Sequence, residues 1–194
     1  MSDNSNGYPA NRERYPWYEI VEGDELEQGD IFEACPVFAI VSPFSFEQYR
    51  TTGASAPFDV LERDVIMLTQ SCDLVKDHPK VNAVILCPIW DLDKFSEKNE
   101  YVRHTKGREE IRQSKHPGFH MLNACHLPNF ERSIRLVDFH LLFSMPLDFM
   151  RDLARARGQR LRLLPPYREH LGQTFARYFM RVGLPVDIPP FKNK

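Results

Sequence analysis

Two uninterrupted apolar runs constrain the fold of this chain more than any other feature of its sequence. The first occupies residues 64–70 and the second residues 81–90, with a turn-forming Asp-His-Pro-Lys segment at 77–80 between them. A strand with one face in water alternates polar and apolar residues, whereas a strand covered on both faces is apolar throughout. The two runs therefore predict neighbouring strands in a sheet that is covered on both sides.

Shorter patterns add strands around this pair. A Gly-Asp turn at 29–30 precedes an apolar strand at 31–41, which is expected to bend at Pro36 because proline cannot donate to a strand ladder. Strands are also predicted at 118–127 and 135–143. The expected fold class is mainly β with α: a small, bent antiparallel sheet or barrel, followed by C-terminal helices.

The C-terminal part carries helical patterns. Ser144 and Gly158 are expected to bound one helix, and a second is expected to begin after the two prolines at 165–166. A short exposed helix is also predicted at 105–115, upstream of these two. The last helix places its apolar residues on one face at a 3.6-residue period: Tyr167, Leu171, Phe175, Tyr178, Phe179 and Val182.

These patterns divide the chain into three parts. We expect a disordered lead-in at 1–20, a β-barrel domain at 21–145 and a helical extension at 146–194 that packs on it. Within the β domain, residues 42–58 are predicted to form a loop. The residues expected in the core are Leu68, Ile85, Leu86, Phe139 and Leu141, with Phe175 and Phe179 attaching the last helix.

Composition excludes several classes of protein. The chain has 194 residues, 42% of them hydrophobic, and no apolar run approaches the roughly 18 residues that cross a bilayer. Residues 1–14 lack the apolar segment of a secretory signal, so we expect a cytoplasmic protein with four reduced cysteines and no membrane partner. No glycine-rich phosphate loop is present, so neither a nucleotide cofactor nor any other cofactor is predicted.

Charge is distributed unevenly along the chain. Residues 1–100 carry 19 acidic and 8 basic side chains, whereas residues 101–194 carry 8 and 17. The two halves can neutralise each other within the fold or across a homodimer. Alternatively, the basic half can bind phosphate.

The segment Thr-Gln-Ser-Cys-Asp at 69–73 directly follows the first apolar run. Thr69, Cys72 and Asp73 are candidate catalytic residues, because Cys72 could be a nucleophile, metal ligand or redox thiol and Asp73 a general base or metal ligand. Alternatively, Ser71 and Asp73 cap a turn while Cys72 packs inward. We predict that Cys72 and Asp73 line a concave site together with a histidine from 116–126.

Four histidines lie close together in the sequence: His116, His120, His126 and His140. A zinc site could combine Cys72 and His120 with Cys125 or His126. The spacing matches no metal signature, so surface histidines and buried thiols are favoured and no metal is predicted.

Arginines provide candidate phosphate ligands. Arg151 and Arg155 share one helix face and could hold a nucleic acid, although the same face could pair with the acidic half of the chain. Arg50 and Arg103 are candidates for the cation that a phosphate-cleaving site requires.

The order of elements resembles the MazF/PemK-like toxins, which have an SH3-like barrel. The resemblance covers roughly residues 27–155 and lies in the Gly-Asp-Ile at 29–31, the apolar segments 65–69 and 84–89, Val137, and the helix near Ser144. It implies a toxin-antitoxin function that acts on RNA. These toxins carry Arg-Pro before the second strand, where this chain has Arg63 and Asp64. Separately, the segment at 69–74 resembles a motif in uncharacterised bacterial proteins.

Three functions are compatible with these observations. The first is a toxin-like RNA-binding or RNA-cleaving protein, an endoribonuclease-like hydrolase if it is an enzyme, with Asp73 or His120 as base and His126 as acid. The second is a non-catalytic protein-interaction module of a bacterial stress or phage-defence system, which docks a partner or a second copy. The third is a metal or redox site centred on Cys72.

Overall fold

The computed structural model describes residues 15–40, 45–52 and 58–180. Eight strands in this part form one antiparallel sheet that does not close into a barrel, which confirms the open-sheet form of the prediction. The strands are β1 (Tyr18–Val21), β2 (Asp30–Ile40), β3 (Phe58–Met67), β4 (Ala83–Asp91), β5 (Phe119–Leu122), β6 (Arg135–Asp138), β7 (Phe143–Pro146) and β8 (Arg160–Leu163). The helices are α1 (Phe46–Thr52), α2 (Leu92–Lys98), α3 (Glu100–Arg103), α4 (Thr105–Arg112), α5 (Leu147–Arg157) and α6 (Tyr167–Phe179).

The sheet has the order β1-β8-β2-β3-β4-β6-β5, and β7 pairs with β4 beside β6. Strand β8 is therefore inserted between β1 and β2, although it lies in the part of the chain predicted to be helical. Strand β1 lies partly inside the predicted lead-in, and residues 1–14 of that lead-in are outside the described residues. Part of the predicted loop at 42–58 forms α1.

The central strands are covered on both faces over much of their length, as their continuous apolar sequence predicts, whereas Ile85 near the start of β4 is exposed. Val65 and Met67 belong to a core layer that includes Met150 of α5. Ile66 belongs to the opposite layer, which includes Leu171 of α6. Successive side chains of a strand point to opposite faces, so the two C-terminal helices lie on opposite sides of the sheet.

A third apolar cluster lies at the β5–β6 end of the sheet. Phe119 and Leu136 of these strands pack with side chains of the helical segment that follows β4. Asp91 begins this segment, and its carboxylate accepts hydrogen bonds from the backbone N–H groups of Asp93 and Lys94. The helical contributors to the cluster are Leu92, Val102 and Ile111.

Strand β2 has its irregularity before Pro36 and not at it. The pairing register between β2 and β3 shifts between Phe32 and Cys35, where Ala34 has a φ of 46°. The backbone N–H of Ala34 leaves the ladder and donates to the Asp64 carboxylate at 2.9 Å. The extra residue of a β-bulge is thus satisfied by a side chain, and Pro36 follows it.

A buried ionic cluster joins the acidic and basic halves of the chain. Asp30, fully buried at the start of β2, accepts from Arg160 at 2.9 Å and from Arg162 at 2.5 Å. Glu27 accepts from Arg162 at 2.8 Å and from Arg168 at 2.6 Å. The uneven charge distribution is therefore neutralised in part inside the fold, as the first of the two alternatives predicts.

The predicted core is partly right. Leu68, Leu86 and Phe139 are buried, and Phe175 is half-buried. Three expected core residues are exposed instead: Ile85 by 40%, Leu141 by 42% and Phe179 by 57%. Leu141 is exposed because the predicted strand at 135–143 is interrupted and residues 139–142 lie between β6 and β7.

Candidate functional site

Two adjoining concavities lie beside β1 and the beginning of α6. They share Trp17, Asn123 and Tyr167, and we call them together the aromatic groove. The inner cavity, of about 400 Å³, is also lined by Ile111, Arg112, Ser114, His120, Met121, Ile134 and His170. The outer hollow, of about 350 Å³, is also lined by Tyr15, Pro16, Tyr18, Ala124, His126 and Leu127.

The wall common to both concavities is a stacked pair of aromatic rings. The centroids of Trp17 and Tyr167 are 3.7 Å apart and their planes differ by 11°. The backbone N–H of Leu164 donates to the carbonyl of Trp17 at 2.9 Å, which holds the segment before β1 against the segment before α6. The Tyr18 hydroxyl donates to the carbonyl of Asn123 at 2.7 Å. A main-chain hydrogen bond thus places Trp17 beside the start of α6.

His120 of β5 lies in the inner cavity and is 3% exposed. Burial, with a smaller contribution from nearby His170, lowers the pKa of His120 to about 3. The imidazole is therefore neutral at pH 7. Its Nε2 atom is buried and has no hydrogen-bond partner among the described residues, which is uncommon for a buried polar atom.

His170 of α6 lies beside His120, with 5.1 Å between the ring centroids and an angle of 68° between the planes. Its Nε2 atom is 3.1 Å from the hydroxyl of Ser114. Asn123 also lines the cavity, and its side-chain oxygen accepts from the backbone N–H of Ala124 at 2.9 Å. The Asn123 amide therefore keeps its N–H donors for a ligand.

The charge of the groove is low. Arg112, at the rim of the inner cavity, donates two hydrogen bonds to the Glu109 carboxylate at 2.7 and 2.6 Å. This pairing raises the pKa of Arg112 and lowers that of Glu109 to about 2, so both stay ionised and offset each other. A ligand would be held chiefly by stacking and hydrogen bonds.

The segment at 69–73 does not face the aromatic groove. Thr69 and Asp73 line a second, more open groove of about 800 Å³ between β4 and α6. Thr69 Oγ1 accepts from the backbone N–H of Ile85 at 2.8 Å, and Asp73 pairs with Lys80 at 3.5 Å. The hydroxyl of Ser71 accepts from the backbone N–H of Gln28 at 3.1 Å. These contacts support the interpretation of this segment as a turn.

Cys72 lies on the surface, which contradicts the inward packing predicted by the turn alternative. It lines a separate hollow of about 450 Å³ with Leu26 and Val75, among others. His120 and His126 line the aromatic groove, so the structure does not assemble the predicted site of Cys72, Asp73 and a histidine. His116 contacts the ring of Phe119, and His140 also contacts this ring.

The four candidate phosphate-binding arginines lie outside the aromatic groove. Arg103 and Arg151 donate to main-chain carbonyls at 2.8 and 3.3 Å. Arg50 and Arg155 pair with carboxylates at 3.9 and 3.1 Å. Their partners are Glu97, Leu74, Glu47 and Asp24, respectively.

The candidate zinc ligands are not brought together in one site. Among the described residues, no three His, Cys, Asp or Glu side chains are arranged to hold a metal ion. Cys125 is buried in the core layer beneath α6, whereas Cys72 is exposed.

Most of the groove could not be predicted from the sequence. Trp17 lies within the predicted lead-in, and the periodic pattern places Tyr167 on the core face of the last helix. No sequence pattern marks His170 or Asn123 as a site residue. The cluster of aromatic residues at 15–18 was the available signal, but its partners come from α6, about 150 residues later.

No known protein family, curated protein or solved structure matches this chain. In the described part of the chain, none of the helices combines the length and apolarity needed to cross a membrane.

Proposed function

We propose that this protein binds single-stranded RNA in the aromatic groove. The observation that carries the proposal is the stacked Trp17–Tyr167 pair, which forms a wall of both concavities. Unpaired bases stack on aromatic side chains, and each such contact contributes about 1–3 kcal/mol. Two adjoining concavities that share one aromatic pair suit neighbouring nucleotides of a strand.

The polar groups of the groove support this ligand. The Asn123 amide, the exposed His126 and the half-buried His170 provide hydrogen bonds to sugars, phosphates and base edges. Sequence-specific RNA recognition commonly uses splayed bases that stack on aromatic side chains and form hydrogen bonds through their edges. Because phosphate contacts would be few, we expect binding to weaken only modestly with salt.

We propose binding and not cleavage. Metal-free cleavage needs a base, an acid and a cation that stabilises the phosphate. Burial lowers the pKa of His120 to about 3, which makes this predicted base a weak one, and the predicted cations Arg50 and Arg103 lie outside the groove. Endoribonuclease activity, the toxin-antitoxin or phage-defence function and the cytoplasmic location stay predictions.

Fluorescence anisotropy with labelled single-stranded RNA of about ten nucleotides tests the proposal. Trp17→Leu should weaken binding about 10- to 100-fold, which corresponds to the loss of one stacking contact. The matched control is Phe46→Leu, an exposed aromatic residue on α1 outside the groove, which should bind like the parent. Absence of RNA binding by the parent, or equal binding by both variants, would contradict the proposal.

A protein-interaction module is the second candidate, because the β2–β3 ribbon exposes apolar residues. Its far end extends beyond the pairing of β2 with β8 and of β3 with β4, and open strand edges favour association. The exposed apolar side chains there are Phe38, Ile40, Phe58 and Val60. If the ribbon pairs two copies, Phe38→Ser should convert a dimer to a monomer in light scattering.

A further inference from the structure

We propose that the inner cavity of the aromatic groove is a recognition pocket for a single nucleobase, whose edge hydrogen-bonds to Nε2 of His120. This inference rests on the proposed binding of RNA. It adds that the pocket discriminates among the four bases at one position of the RNA strand, whereas stacking alone binds every base.

The shape of the cavity suits a planar aromatic group. One wall is the stacked Trp17–Tyr167 pair, and apolar side chains of Ile111, Met121 and Ile134 contribute to the rest. Its volume of about 400 Å³ lies in the usual range of small-ligand pockets. The cavity and the outer hollow share Trp17, Asn123 and Tyr167 as lining residues, so a base in the cavity would leave the rest of its strand beside the adjoining hollow.

The unpaired imidazole nitrogen indicates that the ligand must supply a hydrogen-bonding group. Nε2 of His120 is buried without a partner among the described residues, and such an atom is destabilising unless a ligand or water bonds to it. A nucleobase edge offers both donors and acceptors. It can therefore satisfy either tautomer of a neutral histidine.

The electrostatics favour a base over a phosphate in this cavity. A phosphate needs cations, but the guanidinium of Arg112 is already paired with Glu109 and His120 stays neutral. The neighbouring His170 is itself positioned by Ser114 and contacts the His120 ring edge-on. We therefore assign His120 a specificity role and His170 a positioning role.

Tryptophan fluorescence provides a direct test, because the chain has two tryptophans. Trp90 lies on β4 and does not line the aromatic groove, so a Trp90→Phe background leaves Trp17 as the sole reporter. Titration with adenosine, guanosine, cytidine and uridine should quench Trp17, and the tightest nucleoside should bind at least about tenfold more tightly than the weakest.

Two variants separate recognition from folding. His120→Phe keeps a ring in the buried site and should reduce the discrimination among nucleosides to less than about threefold. The control is His78→Gln, at an exposed histidine outside the aromatic groove, which should leave the discrimination unchanged. Ile134→Phe fills the cavity from a residue that is 37% exposed. This second variant should fold normally and lose nucleoside binding.

The outcomes distinguish this inference from the proposed function. If labelled RNA binds but no nucleoside is preferred, or the preference survives in His120→Phe, the recognition pocket is wrong and RNA binding stands. If nucleosides bind with a preference that requires His120 but RNA oligonucleotides do not bind, the RNA function is wrong and the pocket stands.

Discussion

The carboxylate of Asp30 and the guanidinium of Arg160 form an ion pair from which water is nearly excluded: Nε lies 2.9 Å from Oδ2, and both side chains are buried. Arg160 also donates to the carbonyls of Gly23 and Glu25, at 2.8 and 2.6 Å. The pair connects the start of β2 to β8 and to the segment that precedes β2. The ion pair therefore links parts of the fold that are distant in the sequence.

We expect Asp30→Asn to lower the free energy of unfolding by about 3–5 kcal/mol, because it leaves Arg160 buried without its counter-charge. The measurement is urea unfolding followed by circular dichroism. Asp148→Asn is the matched control, because the Asp148 side chain is 94% exposed and pairs only loosely with Arg151, at 3.7 Å. The control should stay within about 1 kcal/mol of the parent. A similar small loss for Asp30→Asn would refute the structural role.

Burial of His120 predicts a pH dependence of stability. The pKa of His120 is about 3 in the folded chain, and its usual value is 6.5. At pH values between these two, the imidazole of the unfolded chain binds a proton and that of the folded chain does not. Stability contributed by the neutral imidazole is therefore present above pH 6.5 and is lost as the pH falls toward 3. The expected slope is about 1.4 kcal/mol per pH unit inside that window.

Urea unfolding between pH 4 and pH 7 measures this slope. Carboxylates also affect stability in this range, so the informative quantity is the difference between the parent and His120→Phe. The exposed His126 provides the control, since His126→Gln should keep the full pH dependence of the parent. A His120→Phe variant with an unchanged slope would show that the imidazole is not buried in the folded chain.

The cysteines should differ sharply in reactivity. Burial raises the pKa of Cys35 to about 11 and raises that of Cys87 further, and Cys125 is also buried. Cys72 is exposed. An aromatic disulfide reagent should therefore modify one thiol of the folded chain rapidly and the others only on unfolding.

Cys72→Ser should remove the rapid phase of this reaction. The variant should also bind single-stranded RNA like the parent, because Cys72 lies outside the aromatic groove. Loss of RNA binding in Cys72→Ser would favour the site centred on the 69–73 segment instead.

Much of the scaffold could be predicted from local sequence. The uninterrupted apolar runs at 64–70 and 81–90 correspond to buried parts of β3 and β4, and Gly158 ends α5. These features are encoded by residues close together in the chain, since periodicity and backbone propensity act over a single turn or strand.

The missed elements are those whose local sequence is ambiguous. Strand β8 consists of Arg-Leu-Arg-Leu, and all four side chains are buried. Arginines are ordinarily exposed, so their burial here depends on acceptors such as Asp30, contributed from about 130 residues away. No local pattern could place β8 between β1 and β2, because its pairing partners and its counter-charge are both distant in sequence.

The candidate site was decided by tertiary structure for the same reason. Local sequence patterns predict a mainly antiparallel sheet with helices, covered on both faces, and mark His120 and His126 as candidate site residues. Only the folded chain decided that these histidines line one groove while Cys72 and Asp73 line others. Trp17 and Tyr167 meet because β8 pairs with β1 and brings the start of α6 beside the segment that precedes β1. Because the groove depends on this long-range pairing, neither contributing segment has a periodic sequence pattern that predicts it.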